Sequence, residues 1–200
     1  MSVRVLERLQ ATFGDAILET HSQHGDDTAV VDAKMWRDIA AFCKADSALD
    51  FNMMTDLTAV DYPAREEGRL EVVMHLYSIN KRHRVRLKAR IGDQELDVNP
   101  EISTVTNVWP GANWLEREVF DMFGVNFTGH PDLRRILMYP EFTGHPLRKD
   151  YPANKTQPLI EFRTEEEAGL PLNKLAPFLD DEGMSFGRNA NAPPTPDEAS

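Results

Sequence analysis

Two histidines sit in matching surroundings. Phe127-Thr128-Gly129-His130-Pro131 recurs as Phe142-Thr143-Gly144-His145-Pro146, and basic residues follow each copy: Arg134 and Arg135, then Arg148 and Lys149. Proline holds the residue before it extended, and the preceding glycine permits a tight bend, so each copy presents an imidazole from a fixed turn. Such an imidazole can ligate a metal, transfer a proton or hydrogen-bond across an interface. With Asp132 and Asp150 nearby, a small metal-dependent hydrolase using His130, His145, Asp132 and Asp150 is one reading. The spacing matches no recognised ligand motif, and turn structure or interface hydrogen bonding is preferred.

Other chemistry is excluded more firmly. Cys43 is the sole cysteine, so the chain has no intrachain disulfide and lacks the thiolates of an iron–sulfur cluster or structural zinc site. No dinucleotide fingerprint, phosphate loop or nucleophile elbow is present. Arg82, Arg84, Arg86, Lys88 and Arg90 alternate along one strand face, the single feature that suggests RNA. Aromatic neighbours for base stacking are missing, and a net charge of −11 opposes nucleic acid and anionic lipid, so no nucleic-acid partner is expected. A solvated or protein-facing surface is the better reading of that strand.

The positioning elements follow from periodicity. Leu6, Leu9 and Phe13 predict a first helix ending at Gly14, and Ile17 to Thr20 and Thr28 to Val31 predict two strands about a His24-Gly25-Asp26-Asp27 turn. Asp32 is expected to cap a helix to about Lys44 that aligns Met35, Trp36, Ile39, Phe42 and Cys43. Leu70 to Ile79 and Arg82 to Ile91 predict an antiparallel pair about Asn80-Lys81. A further helix is expected from Asn113, with Glu116 as capping-box partner and Gly124 as its stop.

Beyond Gly124 the periodicity fades, and ten of the 13 prolines fall from Pro131 onward. The expectation is an α+β domain over 1–127 with a small mixed or antiparallel sheet and flanking helices. An extended partner-docking tail follows over 128–188, then a disordered end over 189–200. So long a tail without elements, yet holding Phe142, Leu147, Tyr151, Leu159 and Phe162, suggests a segment that lies on another protein. No apolar run reaches the roughly 20 residues of a membrane span, and the opening MSVRVLERLQ has the character of neither a signal nor a transit peptide, which predicts a cytoplasmic chain.

The string Glu116-Arg117-Glu118-Val119-Phe120-Asp121-Met122-Phe123-Gly124, continuing through His130, Arg134, Ile136 and Leu137, resembles the signature of the C-subunit family of NADH:quinone oxidoreductase, respiratory complex I. Gly144-His145-Pro146-Leu147-Arg148-Lys149-Asp150-Tyr151-Pro152 resembles the same family, and the likeness covers most of residues 1 to about 165. It implies a non-catalytic structural component of the stand-alone bacterial form, peripheral on the cytoplasmic side of the inner membrane. By the same likeness FMN, iron–sulfur clusters and quinone belong to the assembly and none to this chain, which meets the quinone-site D-subunit and the nearby B- and I-subunits and reaches the membrane only through the complex. The equivalent component of a membrane-bound hydrogenase or an NADH-independent relative is the neighbouring alternative. Arg117 and Asp121, four apart, are expected to pair, leaving acceptors on Glu116, Glu118 and Asp121 for a partner's cations. Together with His130, Arg134, Arg135, His145, Arg148, Lys149 and Asp150, these are the expected docking residues.

Overall fold

A computed structural model describes residues 3–96 and 99–157. The chain is α+β, with helices α1 (Val3–Phe13), α2 (Trp36–Ala45) and α3 (Ala112–Phe123) and strands β1 (Ile17–Gln23), β2 (Asp26–Val31), β3 (Met53–Asp61), β4 (Glu67–Ser78), β5 (His83–Asp93), β6 (Glu101–Ser103) and β7 (Asn126–Thr128). The first five strands form one sheet in the order β1-β2-β5-β4-β3, and β6 and β7 pair separately. Only the β2–β5 contact in the large sheet is parallel.

Period-2 alternation gives this sheet two unlike faces. Leu70, Val72, Met74 and Leu76 of β4 join Val85, Leu87, Ala89 and Ile91 of β5 in a core completed by Leu9 of α1, Trp36, Ile39 and Cys43 of α2, and Val119 and Met122 of α3. Burial pushes the Cys43 thiol up to about 12, so it behaves as a small hydrophobe. The opposite face is charged yet internally matched. Glu71 is almost wholly buried there, 2.8 Å from Lys88 Nζ and 2.9 Å from Arg65 Nη1, while Arg90 grips Glu19 at 2.9 Å and Arg86 faces Asp26 at 3.4 Å. The cation row on β5 is thus largely neutralised by the chain's own acids. Arg82 leaves the row, taking φ +54 in the turn before β5.

Several local expectations change. The β1–β2 turn shrinks to His24 and Gly25, both at positive φ, so each strand is longer than expected. Asp32 caps a 3₁₀ turn, Ala33–Met35, rather than α2 itself, its Oδ1 accepting from Lys34 N at 2.9 Å. Strand β3 is absent from the sequence-based expectation: Asp56 and Asp61 mask its alternation, and one edge of the sheet satisfies it. Helix α3 starts at Ala112 behind Gly111 without a side-chain cap, because Glu116 points inward and forms no capping box.

Gly124 ends α3 in the left-handed conformation, φ +77, its N–H donating to Phe120 O at 2.8 Å. A Cβ here would come within 2.6 Å of His145 Nε2 as well as meeting Arg148. Gly124→Ala therefore adds left-handed strain of about 1 kcal/mol to an overpacking cost of about 1–3 kcal/mol. A fall of that size in urea-unfolding free energy is expected, and an unchanged midpoint would contradict the close approach.

Candidate functional site

Helix α3 and the extended segment after it form a single unit. Residues 129–151 form no helix or strand, yet they wind back over α3 as a strap fastened by many polar groups, with Leu133 and Met138 packed against the core. Arg117 Nε and Nη2 donate to the carbonyls of Arg134 and Arg135 at 3.0 and 3.1 Å. Asp121 Oδ2 accepts from the backbone N–H of Ile136, Leu137 and Met138 at 2.8–3.1 Å, while Oδ1 takes Arg135 Nη1 at 2.6 Å. Burial alone would push the Asp121 carboxyl up; the donors of Met138, Arg135, Leu137 and Ile136 reverse this and hold it below the usual carboxylate range.

The second half of the strap uses the C-terminal end of α3. His145 Nδ1 donates to Asp121 O at 3.0 Å, Leu147 N donates to Met122 O at 3.1 Å, and Arg148 Nε donates to Phe123 O at 2.5 Å. These are carbonyls that a helix leaves unsatisfied in its last turn. Burial lowers the His145 imidazole, opposed by its bond to Asp121 O. Arg148 is likewise lowered by burial, and its Nη2 reaches Asn99 Oδ1 at 2.9 Å.

The strap is then fixed to the sheet. Arg69 of β4, 4% exposed, holds Asp61 of β3 through Nε and Nη2 at 2.8 and 3.0 Å and meets Asp150 at 3.0 Å. Lys149 N donates to Asp61 Oδ2 at 2.7 Å. A third anchor lies at the start of α3, where Glu116, fully buried, accepts from Val105 N at 2.7 Å and Thr104 Oγ1 at 2.6 Å. His130 Nε2 sits 4.0 Å from Glu116 and 3.2 Å from Asn113 O.

This geometry corrects the expected roles. Arg117 and Asp121 do not pair; Arg117 goes to strap carbonyls and Asp121 to strap amides and Arg135. Glu116 and Asp121 have no acceptors to spare for a partner, being buried and occupied internally. Arg135, Arg148, Asp150, His130 and His145 are also engaged by their own chain, and Arg134 pairs with Asp132 at 2.8 Å. The strap belongs to the same compact unit as the sheet, a unit that runs to residue 157. Residues 158–188 of the expected tail and the end over 189–200 fall outside the described residues.

What faces solvent is different in kind. Glu118 and the Lys149 side chain are exposed, and beside them stand Trp114, 72% exposed, Leu137, 57%, and Leu147, 50%, with Ile136 and Tyr139 half as open. Periodicity along the sequence places Trp114 among the enclosed residues of α3, and the structure turns it outward. Its position three before Arg117, whose side chain the strap occupies, is the signal that the helix face continues outward. Asp61, Arg69 and Glu71 give no local sign of their roles, since their partners lie across strands or far along the chain. Among the described residues no group of three or more histidine, cysteine or acidic side chains is arranged to hold a metal, and no helix is long and apolar enough to cross a membrane.

Comparison with known proteins agrees with this arrangement. Residues 29–157 match the family described as respiratory-chain NADH dehydrogenase, 30 kDa subunit. The NADH-quinone oxidoreductase C-subunit of Geobacter sulfurreducens is 46% identical over 149 residues, covering 74% of this chain and 88% of that protein. The C-subunit of Roseiflexus sp. is 45% identical, covering 80% and 90%. Among solved structures, a trypsin-resistant fragment of Nqo5 superposes with a TM-score of 0.55 at 30% identity, over 66% of this chain and all of the fragment. A chain of an archaeal membrane-bound sulfane sulfur reductase superposes with a TM-score of 0.64 at 27% identity, over 83% of this chain and 97% of the other. The family match runs from within β2 through α3 and past the end of the strap, and the chain belongs to the family of the 30 kDa subunit of respiratory-chain NADH dehydrogenase.

Proposed function

We propose that this chain is a structural component whose α3-and-strap unit presents a prebuilt surface to neighbouring subunits of its enzyme. The chain is a C-subunit of NADH-quinone oxidoreductase, part of the peripheral arm of a complex I type assembly. In our reading it carries no redox group, is inactive alone and reaches the cytoplasmic side of the bacterial inner membrane only through its partners. FMN, iron–sulfur clusters and quinone reside in other subunits, and the quinone-site D-subunit is the principal partner, with the B- and I-subunits nearby.

The observation that carries this reading is the strap's construction. Much of its backbone and several of its polar side chains are bonded to α3, and Ile136, Leu137, Tyr139 and Leu147 are left outward, as is Trp114 on α3, exposed apolar groups that water does not favour and a protein surface does. Ordering cost is met before docking, which favours affinity. An exposed tryptophan on such a platform has the character of an interface anchor, worth about 2 kcal/mol or more, roughly thirtyfold in affinity. Tagged chain purified from native membranes in mild detergent is expected to bring the cluster-bearing and flavin subunits with it. The Trp114→Ala, Leu137→Asp variant should fold normally and lose most of them. Native recovery of partners with that variant would refute the assignment.

The likeness to the sulfane sulfur reductase chain leaves an assembly of another redox reaction to consider, since the same fold serves there. Identities near 45% to NADH-quinone oxidoreductase C-subunits against 27% to that chain favour NADH. NADH oxidation and flavin content of the purified assembly discriminate the two.

A further inference from the structure

Glu116 and Asp27 stand apart from the other buried acids among the described residues. Asp61 has Arg69, Glu71 has Arg65 and Lys88, and Asp121 has Arg135, but no lysine or arginine nitrogen comes within 4.0 Å of Glu116 or of Asp27; Asp27 accepts from the Ser22 hydroxyl, and Glu116 from Thr104 and Val105. The elements around Glu116 supply no charge to replace one. The 104–106 loop offers the Thr104 and Thr106 hydroxyls and the Val105 N–H. From α2, Lys44 is taken up by Val108 O and the Trp109 ring. On α3 itself Arg117 is committed to the strap, and beyond the turn Asp132 is paired outward with Arg134.

His130 is the remaining neighbour, and its ring nitrogens are taken up by backbone groups: Asp132 N donates to Nδ1 at 3.0 Å and Nε2 lies 3.2 Å from Asn113 O, with Glu116 Oε2 farther off at 4.0 Å.

The hydroxyls, in contrast, suit both forms of the carboxyl. Thr104 Oγ1 lies 2.6 Å from Glu116 Oε2 and 2.9 Å from Thr106 Oγ1, and Thr106 is half-buried at the surface end of the row. With Glu116 ionised, Thr106 donates to Thr104 and Thr104 donates to Glu116. With Glu116 protonated, the direction reverses: the carboxyl donates to Thr104, Thr104 to Thr106, and Thr106 to water. Thr106 N donates to Thr104 Oγ1 in either case, at 3.1 Å, and Val105 N keeps its acceptor. One proton moves from solvent to the carboxyl, each hydroxyl passing its own proton inward and taking the next, and no donor is left unpaired.

We propose that Glu116, Thr104 and Thr106 form a buried proton-uptake site, in which the carboxyl gains and loses one proton through the two hydroxyls with the fold intact. The site stands on this chain's geometry and does not depend on the assembly reading. Desolvation agrees with it, pushing the Glu116 carboxyl up to about 7 against the lowering by Thr104 and Val105. The site thus changes charge in the neutral range, where the junction of α3 with the 104–106 loop carries a negative charge only on the alkaline side.

The test is a carboxyl-carbon NMR titration of the full chain labelled with ¹³C-glutamate. One glutamate should titrate near pH 7, far above the exposed glutamates, and its resonance should vanish in Glu116→Gln, whose amide reproduces the protonated bonding. Thr104→Val, which removes a donor to the ionised form, should move the midpoint upward and identifies the resonance independently should the glutamine variant misfold. In Thr106→Val the proton exchange should slow, splitting the averaged line into two. A Glu116 carboxyl titrating with the exposed glutamates would overturn the site, and exchange that stays fast in Thr106→Val would overturn the relay.

Discussion

Replacing Asp121 by alanine is expected to lower the stability of the isolated chain by about 3–5 kcal/mol, the range for breaking a buried, hydrogen-bonded ion pair from one side. The carboxylate is fully buried and accepts from one guanidinium and three consecutive backbone amides. Without it Arg135 keeps the carbonyls of Asp121 and Gly144 and the Phe142 ring but no charged partner, and the amides of Ile136, Leu137 and Met138 lose the acceptor they share. Hydrogen exchange at those three amides should rise well before exchange in β4 and β5 changes. The pH dependence has a definite sign. A carboxyl held below its unfolded value contributes stability that is complete above that value, ordinarily 3.8, and is lost as pH falls through the lower folded value. The variant should therefore show a shallower acid limb below about pH 4 than the parent. Equal protection of residues 136–138 in variant and parent would show that the strap holds without Asp121.

That prediction rests on a contact the sequence does not disclose, and the reason is physical. Periodicity reports which side of an element is apolar, and it locates α1, α2, the β4–β5 pair and α3 because each buries an apolar stripe. It says little about a polar residue whose partners are backbone groups. Asp121 and Arg117 stand four apart on a helix and, by spacing alone, should pair with each other. The strap intervenes, and each is worth more to the fold when bonded to amides and carbonyls that would otherwise be unsatisfied. The same argument covers Glu116, which has the spacing of a capping-box residue and instead reaches the 104–106 loop. Strand β3 escapes notice for the opposite reason. Its acids break the alternation, and the tertiary partners Arg69 and Lys149 N make Asp61 tolerable at a buried edge position. The resemblance carried by residues 116–124 and 144–152 identifies the family correctly, while several of the charges it marks, Glu116, Asp121 and Arg135 among them, are bonded within the chain and others, Glu118 and Lys149, stay exposed. The outward apolar row becomes visible only once the polar atoms have been assigned to their internal partners.

Arg69 offers the other large effect, with a signature that separates electrostatics from packing. Arg69→Ala removes the guanidinium that satisfies Asp61 twice and also meets Asp150 and Gln94 O. Asp150 is half-exposed and can turn to water, whereas the Asp61 side chain is fully buried and is left with Lys149 N. A loss of about 3–5 kcal/mol at pH 7 is expected, arising mainly from the stranded charge. In the parent chain burial pushes the Asp61 carboxyl up, and Arg69, then Lys149 N, bring it below its ordinary value, so acid removes stability. Without Arg69 the burial effect prevails and the carboxyl rises above its unfolded value, so the variant gains stability relative to the parent as pH falls from neutral toward the ordinary value of 3.8. Urea unfolding across that interval should show the gap between the two proteins closing. The double variant Asp61→Asn, Arg69→Met, which removes both charges and keeps most of the volume, should recover the larger part of the loss at pH 7. If the gap between Arg69→Ala and the parent were independent of pH and the double variant no better than the single, the arginine would be acting through its packed stem rather than through Asp61. The strap's tie to the sheet would then be a matter of contact area and not of charge.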